Sequence, residues 1–136
     1  MIVLDTNVVS ELMRAKPEPR VLRWVDAQPA ETVVVTAITV AEVLCGIARL
    51  PKGARRTGLE VAAAQTFDED LMVLPFDDAA AVDYAAIAAL QESRGRKLAI
   101  ADAMIAATCL AAGATLATRN VRDFAGLGLE VVDPWR

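Results

Sequence analysis

No histidine occurs in the 136 residues of this chain. Its absence removes Ser-His-Asp and Cys-His nucleophile systems, imidazole general bases, and zinc sites that need a ring nitrogen. Any chemistry must come from carboxylates, hydroxyls, amines or a hard metal held by oxygen. Aromatic residues make up only 4% of the chain, so the core is to be built from Ala, Val, Leu and Ile. Rows of rings stacked on single-stranded bases are not its main binding device. Cys45 and Cys109 are the 2 cysteines. They stand in apolar helical contexts with no CxxC spacing, which reads as small buried hydrophobes in a reducing compartment. The start, Met1-Ile2-Val3-Leu4-Asp5, reaches an acid at once and lacks the basic opening of a signal peptide. The longest stretch with a single charge, Leu98 to Thr118, carries Asp102 and breaks at Gly113, a poor fit to a membrane span. The expectation is a cytoplasmic protein with no membrane segment.

Apolar residues are 55% of the chain, and the length is close to the commonest size for one domain. No linker, repeat or low-complexity tract divides it, so residues 1–136 are expected to form a single domain. Ile2 to Asp5 reads as a buried strand and Thr6 to Met13 as a short helix stopped by Lys16-Pro17-Glu18-Pro19. Arg20 to Ala27 reads as a helix, Thr32 to Thr36 as a strand, and Ile38 to Leu50 as a helix stopped by Pro51. Gly53 to Leu71 follows as a helix and Met72 to Leu74 as a strand. Asp77-Asp78 cap an Ala-rich helix that runs to about Gly95. Ile100 to Ala112 is a helix with Gly113 as its C-cap, Ala114 to Thr118 a strand, Val121 to Phe124 a turn, and Glu130 to Val132 a last strand. Short apolar strands alternating with helices predict an α/β fold whose parallel sheet is covered on both faces. Ligands in such folds gather at the carboxyl ends of the strands, where Asp5 and the segment Thr118 to Asp123 fall.

Three acids resist a packing explanation. Asp102 is the only charged residue between Lys97 and Arg119, on a helix apolar or small on every side. A lone carboxylate there is costly unless it is paired or binds a metal; the bland alternative is an acid favoured by the helix dipole. Glu42 lies in a narrow polar stripe with Thr39, Gly46 and Arg49 on an otherwise apolar helix. That stripe is either a solvated face or a site, and Gly46 one turn on removes side-chain bulk beside the carboxylate. Asp5-Thr6-Asn7 can be a simple capping segment. Taken together, three carboxylates from distant segments suit a magnesium-type ion, which wants hard oxygen ligands and a water to activate for attack on a phosphodiester.

Four blocks resemble a known family: Ile2-Val3-Leu4-Asp5-Thr6-Asn7, Thr39-Val40-Ala41-Glu42, Ala101 to Thr108 with Asp102, and Thr118-Arg119-Asn120-Val121-Arg122-Asp123-Phe124. The chain is similar throughout to the PIN-domain nucleases, and in particular to the VapC toxins of type II toxin–antitoxin modules, including the FitB-like branch. The resemblance implies a three-layer α/β/α sandwich with a central, mostly parallel sheet, magnesium (or manganese in its place), and endonucleolytic cleavage of RNA. It further implies a homodimer, extending to a tetramer with a small DNA-binding antitoxin encoded alongside. Carried over, it makes Asp5 and Asp102 metal ligands and has Glu42 hold the metal shell or position the attacking water. At the fourth acidic position some relatives have Asp where Asn120 stands. Either Asp123 supplies that charge or a second metal binds weakly. Thr6, Asn7, Arg14, Arg49, Thr118 and Arg119, close in sequence to these segments, are expected substrate contacts.

A net charge of −4 argues against a polyanionic substrate until its distribution is read. Between Arg56 and Arg94 stand eight acids and no Lys or Arg, and setting these aside leaves 14 basic and 10 acidic residues, a net of +4. Basic residues cluster at Arg49-Lys52-Arg55-Arg56, Arg94-Arg96-Lys97 and Arg119-Arg122, as phosphate contacts or as ordinary solvated loops. Two competing readings are a non-catalytic module using an acidic groove for a basic protein segment, and a phosphatase of small phosphoesters. The phosphatase is weakened because Asp5 is followed by Thr6-Asn7 and not by a second acid two residues on.

Overall fold

Five short runs, mostly of Val, Ile, Leu and Met, form the strands β1 (Ile2–Leu4), β2 (Val33–Thr36), β3 (Met72–Leu74), β4 (Thr115–Ala117) and β5 (Val131–Val132). The computed structural model describes the backbone of residues 1–136 and every side chain except those of Glu69 and Asp70. All described pairings are parallel, in the order β3-β2-β1-β4-β5, with Val3 opposite Val34 on one side and Leu116 on the other. β1 is therefore the central strand, and the chain leaves it in opposite directions along the sheet. The crevice at such a reversal is where open α/β sheets bind ligands.

The period of two along the strands divides the core. Val3, Val34 and Leu116 point to one face, against α5 (Asp78–Ser93) and α6 (Ile100–Ala112). Leu4, Val33, Val35 and Ala117 point to the other, against α1 (Thr6–Leu12), α2 (Pro19–Asp26), α3 (Ala37–Ala48) and α4 (Ala54–Gln65). The result is the expected three-layer α/β/α arrangement. Helix starts follow local chemistry. Asp5, Thr36 and Asp77 each accept a backbone N–H of the helix they precede, and Pro19 opens α2 with its φ already set. Gly113, at φ +64°, ends α6 in a left-handed conformation that a Cβ would strain.

Three expectations are corrected. Cys45 is exposed, because it lies on the outer side of α3, whereas Cys109 is buried inside α6. The sheet is not covered on both faces at its β3 edge: Met72 is 55% and Val73 37% exposed. The helix expected to run to Leu71 ends at Gln65 and passes into a wider turn, Thr66–Asp70. Among the described residues no helix is long and apolar enough to cross a membrane.

Leu116 is fully enclosed at the middle of β4. Leu116→Ala should lower unfolding stability by about 2–5 kcal/mol in urea titration, as buried leucine truncations do. A change near zero would mean that this face of the sheet is not the tight core described.

Candidate active site

Asp5 emerges from the carboxyl end of the central strand and is almost completely buried at 3% exposure. Its backbone N–H donates to Ala117 O at 2.9 Å, continuing the β1–β4 ladder one residue further. The carboxylate is saturated with donors: the Thr6 N–H reaches Oδ1 at 2.8 Å, and the Thr118 hydroxyl reaches Oδ2 at 2.7 Å. The Asn7 amide donates to Oδ2 at 3.3 Å and to Thr118 Oγ1 at 3.1 Å. Asn7 Oδ1 accepts the Arg119 N–H at 3.2 Å. One network thus ties the end of β1 to the end of β4. Burial nevertheless pushes the Asp5 carboxyl above its usual range. The Thr118 and Thr6 bonds oppose that shift, and the charges of Glu42 and Asp123 add to it.

Glu42 reaches the same end of the sheet from the second turn of α3. The Thr6 hydroxyl donates to its Oε1 at 2.6 Å, and Thr6 and Thr39 hydroxyls lie 3.2 Å apart. The polar stripe on α3 is therefore divided. Thr39 is fully buried and Glu42 half-buried against α1, while Gly46 and Arg49 are exposed.

Asp102 stands in the first turn of α6, half-buried. Its carboxyl is raised to about 6, first by burial and then by the charges of Asp5, Glu42 and Asp123. Burial, with the charge of Asp5 behind it, also pushes the Cys109 thiol up to about 12, which places Asp5 electrostatically beside the inner face of α6. Asp5, Glu42, Asp102 and Asp123 thus share one field. Among the described residues none of the four is in an ion pair. Nor do any three such side chains converge to coordination distance among the described residues.

The structure separates the other expected site residues. Asp123 is exposed and electrically coupled to Asp5 and Asp102. Asn120 is exposed, and its backbone N–H donates to Thr118 Oγ1 at 3.1 Å. Asp123 thus carries a charge that acts on Asp5 and Asp102, whereas Asn120 carries none. Thr118 is fully buried with its hydroxyl committed to Asp5, so in this conformation it holds the carboxylate and is out of a substrate's reach. Thr6 and Asn7 likewise spend their side chains on Glu42 and Asp5. Arg119 is exposed and stacks over Trp135, its Cζ 5.0 Å from the ring centroid. Arg14 pairs with the buried Glu11 at 3.3 Å. Arg14 also lines, with Glu42, Gly46 and Arg55, a groove of about 710 Å³ between α1, α3 and α4. Nothing lies within 4 Å of the place a Cβ would take at Gly46, so the groove is open there. Arg49 is exposed on α3 but does not line that groove. Thr39 and Arg55 are site neighbours that the sequence reading did not single out as site residues. A threonine within an apolar helix, one turn before a carboxylate, is the signal that marks Thr39.

An all-parallel α/β sheet with carboxylates gathered at its carboxyl edge is a fold class shared by many activities, and similarity narrows it. Residues 2–128 match the PIN domain family, and the chain belongs to that family. It is 44% identical over 137 residues to VapC ribonuclease Y4jK of Sinorhizobium fredii, covering 99% of this chain and 98% of that protein. It is 39% identical to Toxin FitB of Neisseria gonorrhoeae over 137 residues, 99% of each. Among solved structures it is similar to FitAB bound to IR36 DNA fragment, with a TM-score of 0.92 and 38% identity, covering 100% of this chain and 96% of that one.

A carboxyl raised to about 6 in the folded state binds protons that the unfolded chain has already released, so stability falls as pH rises through that interval. In protein freed of divalent cations, Asp102→Asn should therefore be more stable at pH 7, by about 1 kcal/mol after solvent screening. The gain should vanish below about pH 4, where the carboxyl is protonated in both states. Thermal unfolding at the two pH values checks this; a destabilised variant at pH 7 would contradict the crowding of charge.

Proposed function

We propose that this chain is a magnesium-dependent endoribonuclease, the toxin component of a type II toxin–antitoxin module. The observation that carries the reading is the cluster of Asp5, Glu42, Asp102 and Asp123 at the switch point of the sheet, held without a basic partner among the described residues. Like charges gathered in a partly dry site call for a hard cation. An all-oxygen donor set with no histidine or thiolate fits magnesium, with manganese able to replace it. The names of its relatives, VapC ribonuclease and Toxin FitB, support the same reading.

In this reading Asp5 and Asp102 hold the metal, Glu42 completes its shell, and Asp123 supplies the fourth charge. When bound, the cation supplies Lewis-acid activation of water and neutralises charge at the phosphodiester. The chain's own side chains do the positioning. Thr118 and Thr6 fix Asp5, which removes the entropy of orienting it at the moment of reaction. Thr6 holds Oε1 of Glu42, so the second oxygen is available to orient the attacking water. Phosphate contacts fall to Arg119 at the carboxyl end of β4.

The groove between α1, α3 and α4 is lined largely by apolar side chains, among them Met13, Val43, Ile47 and Leu59. That lining suits a peptide segment better than a nucleic acid, and we assign it to the antitoxin. A homodimer, extending to a tetramer with the antitoxin, accords with large apolar residues left exposed on α3 and α6, Leu44 at 46% and Ile100 at 65%.

Purified protein should cut single-stranded RNA with Mg2+ present and stop when chelator is in excess. Asp5→Asn and Asp102→Asn should each lower the rate at least about 100-fold while circular dichroism stays native. Gel analysis of a labelled RNA reads the outcome. Undiminished cleavage by Asp102→Asn, or in chelator, would sink the proposal.

A further inference from the structure

A second cavity, of about 630 Å³, opens between the last turns of α5 and the first turn of α6. Its lining combines three chemistries. Ile87 and Leu98 give it apolar walls, Tyr84 and Gln91 bring polar side chains, and Arg96 and Lys97 add two cations beside one acid, Glu92, for a net positive charge. Gln91 is the unusual member. It is 95% buried, and its Oε1 has no hydrogen-bond partner among the described residues. Folded proteins rarely leave such a group unmet, and those that do often keep it for a ligand. A half-turn of the carboxamide exchanges its donor and acceptor, so it can match either edge chemistry.

The first turn of α6 contributes residues both to the cavity and to the acidic cluster. Ile100 and Ala103 line the cavity, and Asp102 stands between them in sequence. Ala99 offers no side-chain cap to α6, so the first-turn N–H groups of this 13-residue helix receive no side-chain acceptor there. Neither Arg96 nor Lys97 is in an ion pair among the described residues. Apolar walls, an amide able to read a hydrogen-bonding edge, and positive charge at the mouth are together the requirements of a nucleotide, and the volume is that of a small-ligand site.

We propose that this cavity binds one nucleotide of the RNA substrate beside the scissile phosphate, with Gln91 reading the edge of its base and Arg96 and Lys97 holding its phosphate. The proposal rests on the ribonuclease reading and deepens it: base preference next to the cut is set here and not by the carboxylates. A base over Ile87 and Leu98 loses water from its faces, while the wrong base leaves the Gln91 amide mismatched, which is where discrimination arises.

The test uses the full chain labelled with nitrogen-15, titrated without divalent cation with each of the four nucleoside 5′-monophosphates and, separately, with inorganic phosphate. Saturable shifts are expected at the Gln91 side-chain amide and at Lys97, with one base favoured. Gln91→Glu, close in size but charged, should weaken that nucleotide about tenfold. Sequencing of the ends cut from a random RNA pool should show a base bias at one position flanking the cut, and Gln91→Met should erase it. Shifts confined to the acidic cluster would overturn the proposal. So would phosphate reproducing every shift with Gln91 silent, or an unchanged bias in Gln91→Met. RNA cleavage with a silent cavity overturns the site and leaves the ribonuclease reading standing. Cavity shifts with no cleavage of any RNA overturn the ribonuclease reading and leave a nucleotide site.

Discussion

The structure turns on one buried carboxylate. Asp5 ends the central strand, caps α1, and is gripped through Oδ2 by the hydroxyl of Thr118 at 2.7 Å. Thr118 belongs to the residue stretch just beyond β4, so this bond joins those of Asn7 in tying together the ends of the two neighbouring strands β1 and β4. The fold keeps Asp5 buried because three donors, from Thr6, Asn7 and Thr118, replace part of the lost hydration and because the ladder bond from its own N–H fixes its backbone.

Around that fixed point the other carboxylates are brought in against their mutual repulsion. Glu42 is tethered through the Thr6 hydroxyl, so α1 and α3 are locked to each other by the same residue that borders Asp5. Asp102 arrives on α6, whose inner face is buried among Ile105, Ala106 and Cys109 and cannot retreat. Burial first, and then the charges of Asp5, Glu42 and Asp123, raise its carboxyl to about 6. Hydrophobic burial on both faces of the sheet thus supplies the free energy that holds four like charges in one field, and the site is strained electrostatically because the core is tight. Stability conceded at functional residues in this way is a common feature of catalytic centres.

Much of this is readable along the chain. Val33 to Val35 and Ile2 to Leu4 announce buried strands through their β-branched runs, and Asp77 and Gly113 mark helix ends through local chemistry that needs no partner. Asp102 declares itself because a lone charge in an apolar helix is anomalous in any fold. Cys45 misleads for the opposite reason: α3 is apolar over most of its circumference, and only packing decides which part of that circumference meets the core. The same ambiguity conceals the β3 edge, where Met72 and Val73 belong to an apolar strand yet stand exposed.

The sequence by itself determined the alternation of strands and helices, the family, and the oxygen-only chemistry open to a chain without histidine. These follow from composition and short-range pattern, which each residue carries with it. Tertiary structure alone decided how the acids relate to one another and to their helpers. It made Thr118 a buried clamp on Asp5, brought the charge of Asp123 to bear on Asp5 and Asp102, and set Gln91 in a cavity lined also by the first turn of α6. Those outcomes depend on which side chains meet across 30 to 110 residues of sequence, as in the Thr6–Glu42 and Asp5–Thr118 bonds. The opening idea, a metal site of three separate acids, becomes a four-carboxylate field organised by hydroxyls, because burial and hydrogen bonding are properties of the packed chain and not of any segment of it.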